Sequence, residues 1–104
     1  MNKKEILIAK EIKRYYWNMA NDSTEANELI QKLGIKSINV RRKWWILPFY
    51  IVSITLNRPG IMIGYKGKDA IKLEELFKQK LGRSIKVIYL PSLLDDILFT
   101  NIEY

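Results

Sequence analysis

The stretch from Phe49 to Leu81 leaves few ways for this chain to fold. Tyr50, Val52, Ile54 and Leu56 alternate with Ser53 and Thr55, the period-two pattern of a strand with one buried face. Asn57-Arg58-Pro59-Gly60 ends that strand. The fixed φ of Pro59 suits the first position of a short helical turn through Ile61-Met62-Ile63. Gly64-Tyr65-Lys66-Gly67 interrupts the turn, and residues 68–81 resume helical spacing. There Ala70, Leu73, Phe77 and Leu81 share a face, and Glu74 sits four residues before Lys78.

The flanking segments extend this pattern. Ile8, Ile12, Tyr15 and Met19, with Tyr16 beside them, predict a first helix over residues 4–20. Asn21-Asp22-Ser23 breaks it, and Asp22 or Ser23 can cap a second helix carrying Ala26, Leu29, Ile30 and Leu33, with Gly34 closing it. Ile38 and Val40 alternate with Asn39 and Arg41 in a strand from Ile35 to about Arg42. Trp44-Trp45-Ile46-Leu47-Pro48 reads as a turn or sheet edge, because Pro48 cannot donate to a ladder. Gly82 ends the long helix, and Ser84–Leu90 forms a β-branched strand. Pro91 stops it, and Ser92 can cap a last short helix through Leu93, Leu94, Ile97 and Leu98.

Composition narrows the chemistry. The 104 residues contain neither cysteine nor histidine, so disulfides, thiolate metal sites, cysteine nucleophiles and the commonest general base are excluded. Neither a metal nor a cofactor is expected, and a catalyst is not. The N-terminus lacks the uninterrupted apolar region of a secretory signal, and no apolar run approaches the roughly 20 residues of a membrane span. The expected compartment is cytoplasmic, without membrane attachment. The net charge of +7 is uneven: residues 35–90 hold about +9 and residues 91–104 about −3. A polyanion would be drawn to the middle of the chain.

Within that middle, two glycines bracket Tyr65 and Lys66 between a short helix and a long one. Glycines without Cβ atoms admit a phosphate backbone close to the main chain. The amides of Gly67, Lys68 and Asp69 are expected to open the long helix unpaired, at its positive dipole end, with Lys66 and Lys68 adding charge. The tetrapeptide alone marks many tight turns; its position between two helices and two strands carries the argument.

The run Val52-Ser53-Ile54-Thr55-Leu56-Asn57-Arg58-Pro59-Gly60-Ile61-Met62-Ile63-Gly64-Tyr65-Lys66-Gly67-Lys68-Asp69 resembles the type II KH domain, as found in the bacterial ribosomal protein uS3 and the GTPase Era. Gly34–Arg42 upstream, and Leu73, Leu76, Leu81-Gly82 and Lys86-Val87 downstream, are similar to the same family. The resemblance implies an α+β fold in the order α-β-β-α-α-β, a three-stranded mixed sheet packed against three helices. An extra N-terminal helix (residues 1–23) precedes the core (24–90), and an acidic, short helical tail (91–104) follows, all in a single domain.

It also implies single-stranded RNA as ligand, with single-stranded DNA as the alternative, about four nucleotides being held in a groove. Association with a ribosome or ribonucleoprotein is the corresponding cellular role. Gly64, Tyr65, Lys66 and Gly67 would be the backbone clamp, joined by Lys68; Ile63 and Ile71 would form the groove floor, with Arg58 and Lys72 at its rim. Tyr65 stands where the family often has a basic residue, and offers a ring for stacking. No Gly-x-x-x-x-Gly-Lys-Ser/Thr motif of a GTPase occurs.

Arg41-Arg42-Lys43-Trp44-Trp45 is a second candidate, either a further nucleic-acid contact or a partner surface. The favoured expectation is that one tryptophan enters the core and the other packs under the first helix. Tyr15-Tyr16-Trp17 reads as core packing, and Asp95-Asp96 as solvated acids without a catalytic role. The rival to nucleic-acid binding is a protein-interaction or homodimerisation module that leaves the clamp unused.

Overall fold

The computed structural model describes residues 2–44 and 46–92. It shows an α+β fold with four helices and a three-stranded mixed sheet. The order is α1 (Lys3–Met19), α2 (Ser23–Leu33), β1 (Ile35–Trp44), β2 (Pro48–Leu56), α3 (Pro59–Ile63), a 3-10 turn (Tyr65–Gly67), α4 (Lys68–Leu81) and β3 (Ile85–Pro91). The expected helix after Ser92 and the residue Trp45 lie outside the described residues.

Local chemistry sets the helix starts. The Asn2 side chain accepts from the Glu5 amide at 2.9 Å while Glu5 accepts from the Asn2 amide at 3.1 Å, a reciprocal capping box. Asp22 caps α2 by accepting from the Glu25 amide at 2.8 Å. The α2 C-terminus is tied to the end of β2: the Leu33 carbonyl accepts from the Asn57 amide at 3.1 Å and the Arg58 amide at 3.2 Å. That pair of bonds fixes where the chain leaves the sheet and turns into α3.

The sheet order is β1-β2-β3. β1 and β2 form an antiparallel hairpin with Val40 opposite Val52 and Trp44 opposite Pro48. Pro48 is the first residue of its strand, where a missing donor is tolerated. β3 lies parallel to β2, with Val52 opposite Val87. A parallel neighbour requires a crossover, and α3 and α4 provide it.

One face of the sheet carries the core. Tyr50, Val52, Ile54 and Leu56 of β2 are buried with Ile38 and Ile85 against Ile8, Ile12 and Tyr16 of α1, Leu33 of α2, Met62 of α3, and Leu73 and Phe77 of α4. Phe77 is fully buried, so Phe77→Ala would cost about 3–5 kcal/mol. Two expectations for α1 need correction. Met19 and Trp17 are 49 % and 42 % exposed: Trp17 points away from the core that its neighbour Tyr16 enters, and Met19 lines an open cleft against α4. The Trp17 ring lies instead under Lys13 Nζ, 5.9 Å from its centroid. Among the described residues, no helix is long and apolar enough to cross a membrane.

Candidate nucleic-acid interface

The loop between α3 and α4 is built on backbone conformations that its sequence requires. Gly64 has φ 80° and ψ 174°, a region open essentially to glycine alone. Its amide donates to the Gly60 carbonyl at 3.0 Å and ends α3. Lys66 follows at φ 54°, ψ 27°; among the described residues it is the one non-glycine with positive φ. Left-handed geometry costs a side-chain-bearing residue about 1–2 kcal/mol, and such strain clusters at functional loops. Gly67, at φ 75°, enters α4 without a side-chain cap.

The two glycines differ in what surrounds them. A Cβ on Gly67 would meet nothing within 4 Å, so that side of the loop is open. A Cβ on Gly64 would lie 2.8 Å from Asp69 Cγ. Asp69 folds back over Gly64, and its Oδ1 accepts a hydrogen bond from the Tyr15 hydroxyl of α1. Burial pushes the Tyr15 phenol up to about 12, reinforced by that bond and by the Asp69 charge.

The expectation of free amides at the α4 mouth is corrected in two respects. The Gly67 amide donates to the Gly64 carbonyl at 3.1 Å, and the Lys68 amide donates to the Tyr65 carbonyl. The 3-10 turn consumes both, because its i→i+3 bonds are short enough to close inside the tetrapeptide. Asp69, in the first turn of α4, interacts favourably with the helix dipole. What the loop offers an anion is therefore the uncovered side of Gly67 and the charges of Lys66 and Lys68, both exposed. Tyr65 is 77 % exposed, with Lys66 Nζ 5.4 Å from its ring centroid, a cation–π contact that holds the lysine beside the ring.

The remaining expected site residues divide. Ile63 is partly buried and Ile71 is 60 % exposed, an uncovered aliphatic next to the loop. Arg58 is exposed at the N-cap of α3. Lys72 is exposed and lines a cleft between α1 and α4 with Arg14 and Lys80.

Arg41, Arg42, Lys43 and Trp44 belong to the β1–β2 hairpin. β2 runs from Pro48 beside Trp44 to Leu56, which leads into α3, so at about 3.3 Å per residue the two ends of the strand lie about 26 Å apart. The expected burial of Trp44 is overturned: it is 67 % exposed, and Ile46 and Leu47 are 85 % and 74 % exposed. Among the described residues, the groove these side chains line is completed by Lys43, Pro48, Phe49, Ile51 and Ser84, none of them from a helix. Arg42 lies over the Trp44 ring at 4.6 Å. Arg41 Nε donates to Asn39 Oδ1 at 3.2 Å.

Two features escaped the sequence reading. One is the Tyr15–Asp69 bond. The other is Glu11, a buried acid reached by Lys80 Nζ at 3.5 Å and Arg14 at 3.9 Å. An acid on the inward side of an otherwise apolar helical stripe was the available signal. No protein-family model and no curated protein matches this chain.

Proposed function

We propose that this chain is a type II KH domain that binds single-stranded RNA without catalysing a reaction. The observation that carries the reading is the loop at the α3–α4 junction. Both of its glycines have positive φ, Gly67 is uncovered, and Tyr65 and Lys66 project into solvent. The surrounding order from α2 to β3, with an antiparallel and then a parallel strand neighbour, agrees with the architecture that the sequence resemblance implies. In this mechanism the basic middle of the chain captures the strand electrostatically. Residues 64–68 hold its sugar-phosphate backbone while Ile63 and Ile71 meet base faces and Arg58 adds a peripheral charge. Tyr65 supplies a stacking surface that a second basic residue would not.

The test is Tyr65→Asp combined with Lys66→Asp, titrated against a labelled oligouridylate. Both side chains are exposed, so the fold is retained while affinity drops on the order of ten-fold or more, two negative charges replacing a cation and a ring. Unchanged affinity in a folded variant would falsify the clamp.

A second reading is favoured by one observation, the exposed apolar hairpin tip at Trp44, Ile46 and Leu47. Three large uncovered side chains beside Arg42 fit a protein partner or a second copy of the chain. Sedimentation of wild type and Trp44→Ser without RNA separates the two: an RNA-independent dimer lost in the variant supports this reading.

A further inference from the structure

The cleft between α1 and α4 has a volume of about 550 Å³. Arg14 and Asn18 line it from α1, and Lys72, Gln79 and Lys80 from α4. Among the described residues lining it, Glu11 is the only acid, so three cations face one carboxylate. Glu11 is buried and holds Lys80 and Arg14 at 3.5 and 3.9 Å. Both cationic side chains remain open to solvent, at 43 % and 68 %. The buried acid thus holds the heads of two cations at the rim of the cleft and offsets one of their charges, so that with Lys72 two positive charges are left over.

Packing of α1 on α4 does not call for this arrangement. Ile8, Ile12 and Tyr16 are already buried in one core cluster with Leu73 and Phe77, and the cleft adds charged and amide side chains to the apolar wall that Tyr15, Met19 and Leu76 give it. Its position relative to the clamp is set by Tyr15, which lines the cleft and donates to Asp69, the residue folded against Gly64. Lys72 lies one helical turn beyond Lys68. Lys72 and Lys80 are separated by about 12 Å along the α4 axis at 1.5 Å per residue. At about 3.4 Å per stacked nucleotide, and more when extended, that length accommodates two or three nucleotides.

We infer that this cleft is a second phosphate-binding subsite, which takes the sugar-phosphate backbone of the strand leaving the clamp. The inference rests on the clamp reading and extends it. The N-terminal helix becomes part of the ligand surface through Arg14 and Asn18, and the footprint grows from about four nucleotides to six or seven.

The experiment compares the full chain with its Arg14→Ala and Arg14→Lys variants on tetra- and octa-uridylate over a series of salt concentrations. Arg14 is largely exposed, and thermal unfolding of each variant verifies the fold. Wild type holds the octamer more tightly than the tetramer. Its slope of log K against log salt steepens by about 0.7 for each added phosphate contact. Arg14→Ala leaves the tetramer affinity unchanged and loses about one contact's worth of that extra slope on the octamer; Arg14→Lys restores it. An octamer advantage equal in wild type and Arg14→Ala, or no advantage in wild type, overturns the subsite and leaves the clamp standing. Failure of the wild type to hold the tetramer overturns the clamp, and the subsite with it.

Discussion

The Tyr15 hydroxyl donates to Asp69 Oδ1 across 54 residues of sequence, and the same carboxylate closes one side of Gly64. The bond ties the N-terminal helix to the inner wall of the candidate clamp. It also places a negative charge beside a loop whose proposed ligand is a polyanion. Asp69→Asn therefore has opposite effects on two measurements. Binding of single-stranded RNA tightens a few-fold as the repulsion is removed. Stability falls by about 1–2 kcal/mol as the charged bond and the helix-dipole interaction weaken. Denaturant unfolding and RNA titration of the one variant check both, and a loss in both would mean that the carboxylate mainly shapes the loop.

The two loop glycines should respond differently to alanine. Gly67 has φ 75° in open space, so Gly67→Ala carries backbone strain alone, about 1 kcal/mol. Gly64 combines a glycine-only conformation with the Asp69 carboxylate against its Cα, so Gly64→Ala costs about 3 kcal/mol or more. Paired urea melts give the ranking; equal losses would contradict the role assigned to Asp69.

Stability should fall at alkaline pH. Burial pushes Tyr15 and Tyr89 up to about 12, with hydrogen bonding and charge from Asp69 adding to Tyr15 and charge from Glu74 and Asp69 to Tyr89. Burial raises Tyr16 as well. A phenol whose folded pKa lies above its unfolded value of about 10 stays protonated longer in the native state. Its contribution is complete below pH 10 and is lost as pH rises toward 12. The urea midpoint should be insensitive to these groups up to about pH 9 and then decline. Tyr15→Phe makes the decline shallower, which isolates its share from that of the lysines.

The Tyr16 hydroxyl is buried and has no hydrogen-bond partner among the described residues. Its ring packs edge-to-face on Tyr15 at 5.2 Å, a contact that phenylalanine keeps. Tyr16→Phe should therefore be neutral to stabilising, by up to about 1 kcal/mol, since it removes an unsatisfied polar atom and leaves no cavity. A destabilised variant in thermal unfolding would reveal a partner for that hydroxyl.

Much of the fold was legible because it is written in short-range patterns. The alternation of Tyr50, Val52, Ile54 and Leu56 marked the buried face of the central strand, and Leu73 and Phe77 marked that of α4. Asp22 and Pro59 sat where helices begin. The loop at residues 64–67 could be located from its glycines, but the fate of its amides could not. Whether the Gly67 and Lys68 N–H groups stay free depends on how tightly the turn closes, and Lys66 adopting positive φ closes it fully. Trp44 was misjudged because a large aromatic buries only if something lies above it. That depends on how far the helices extend over the hairpin, which no local pattern encodes.

The sequence by itself determined the kinds and order of the elements, the apolar faces they bury, the basic middle of the chain, and the absence of thiol and imidazole chemistry, because residue identity and spacing set these directly. Only the tertiary structure decided that Asp69 would lie against Gly64 in the grasp of Tyr15. It also decided that Glu11 would hold Arg14 and Lys80 at the edge of a cleft, and that Trp44 would stay exposed on the hairpin. Those outcomes depend on which helix faces meet and at what depth, a property of the whole packed chain.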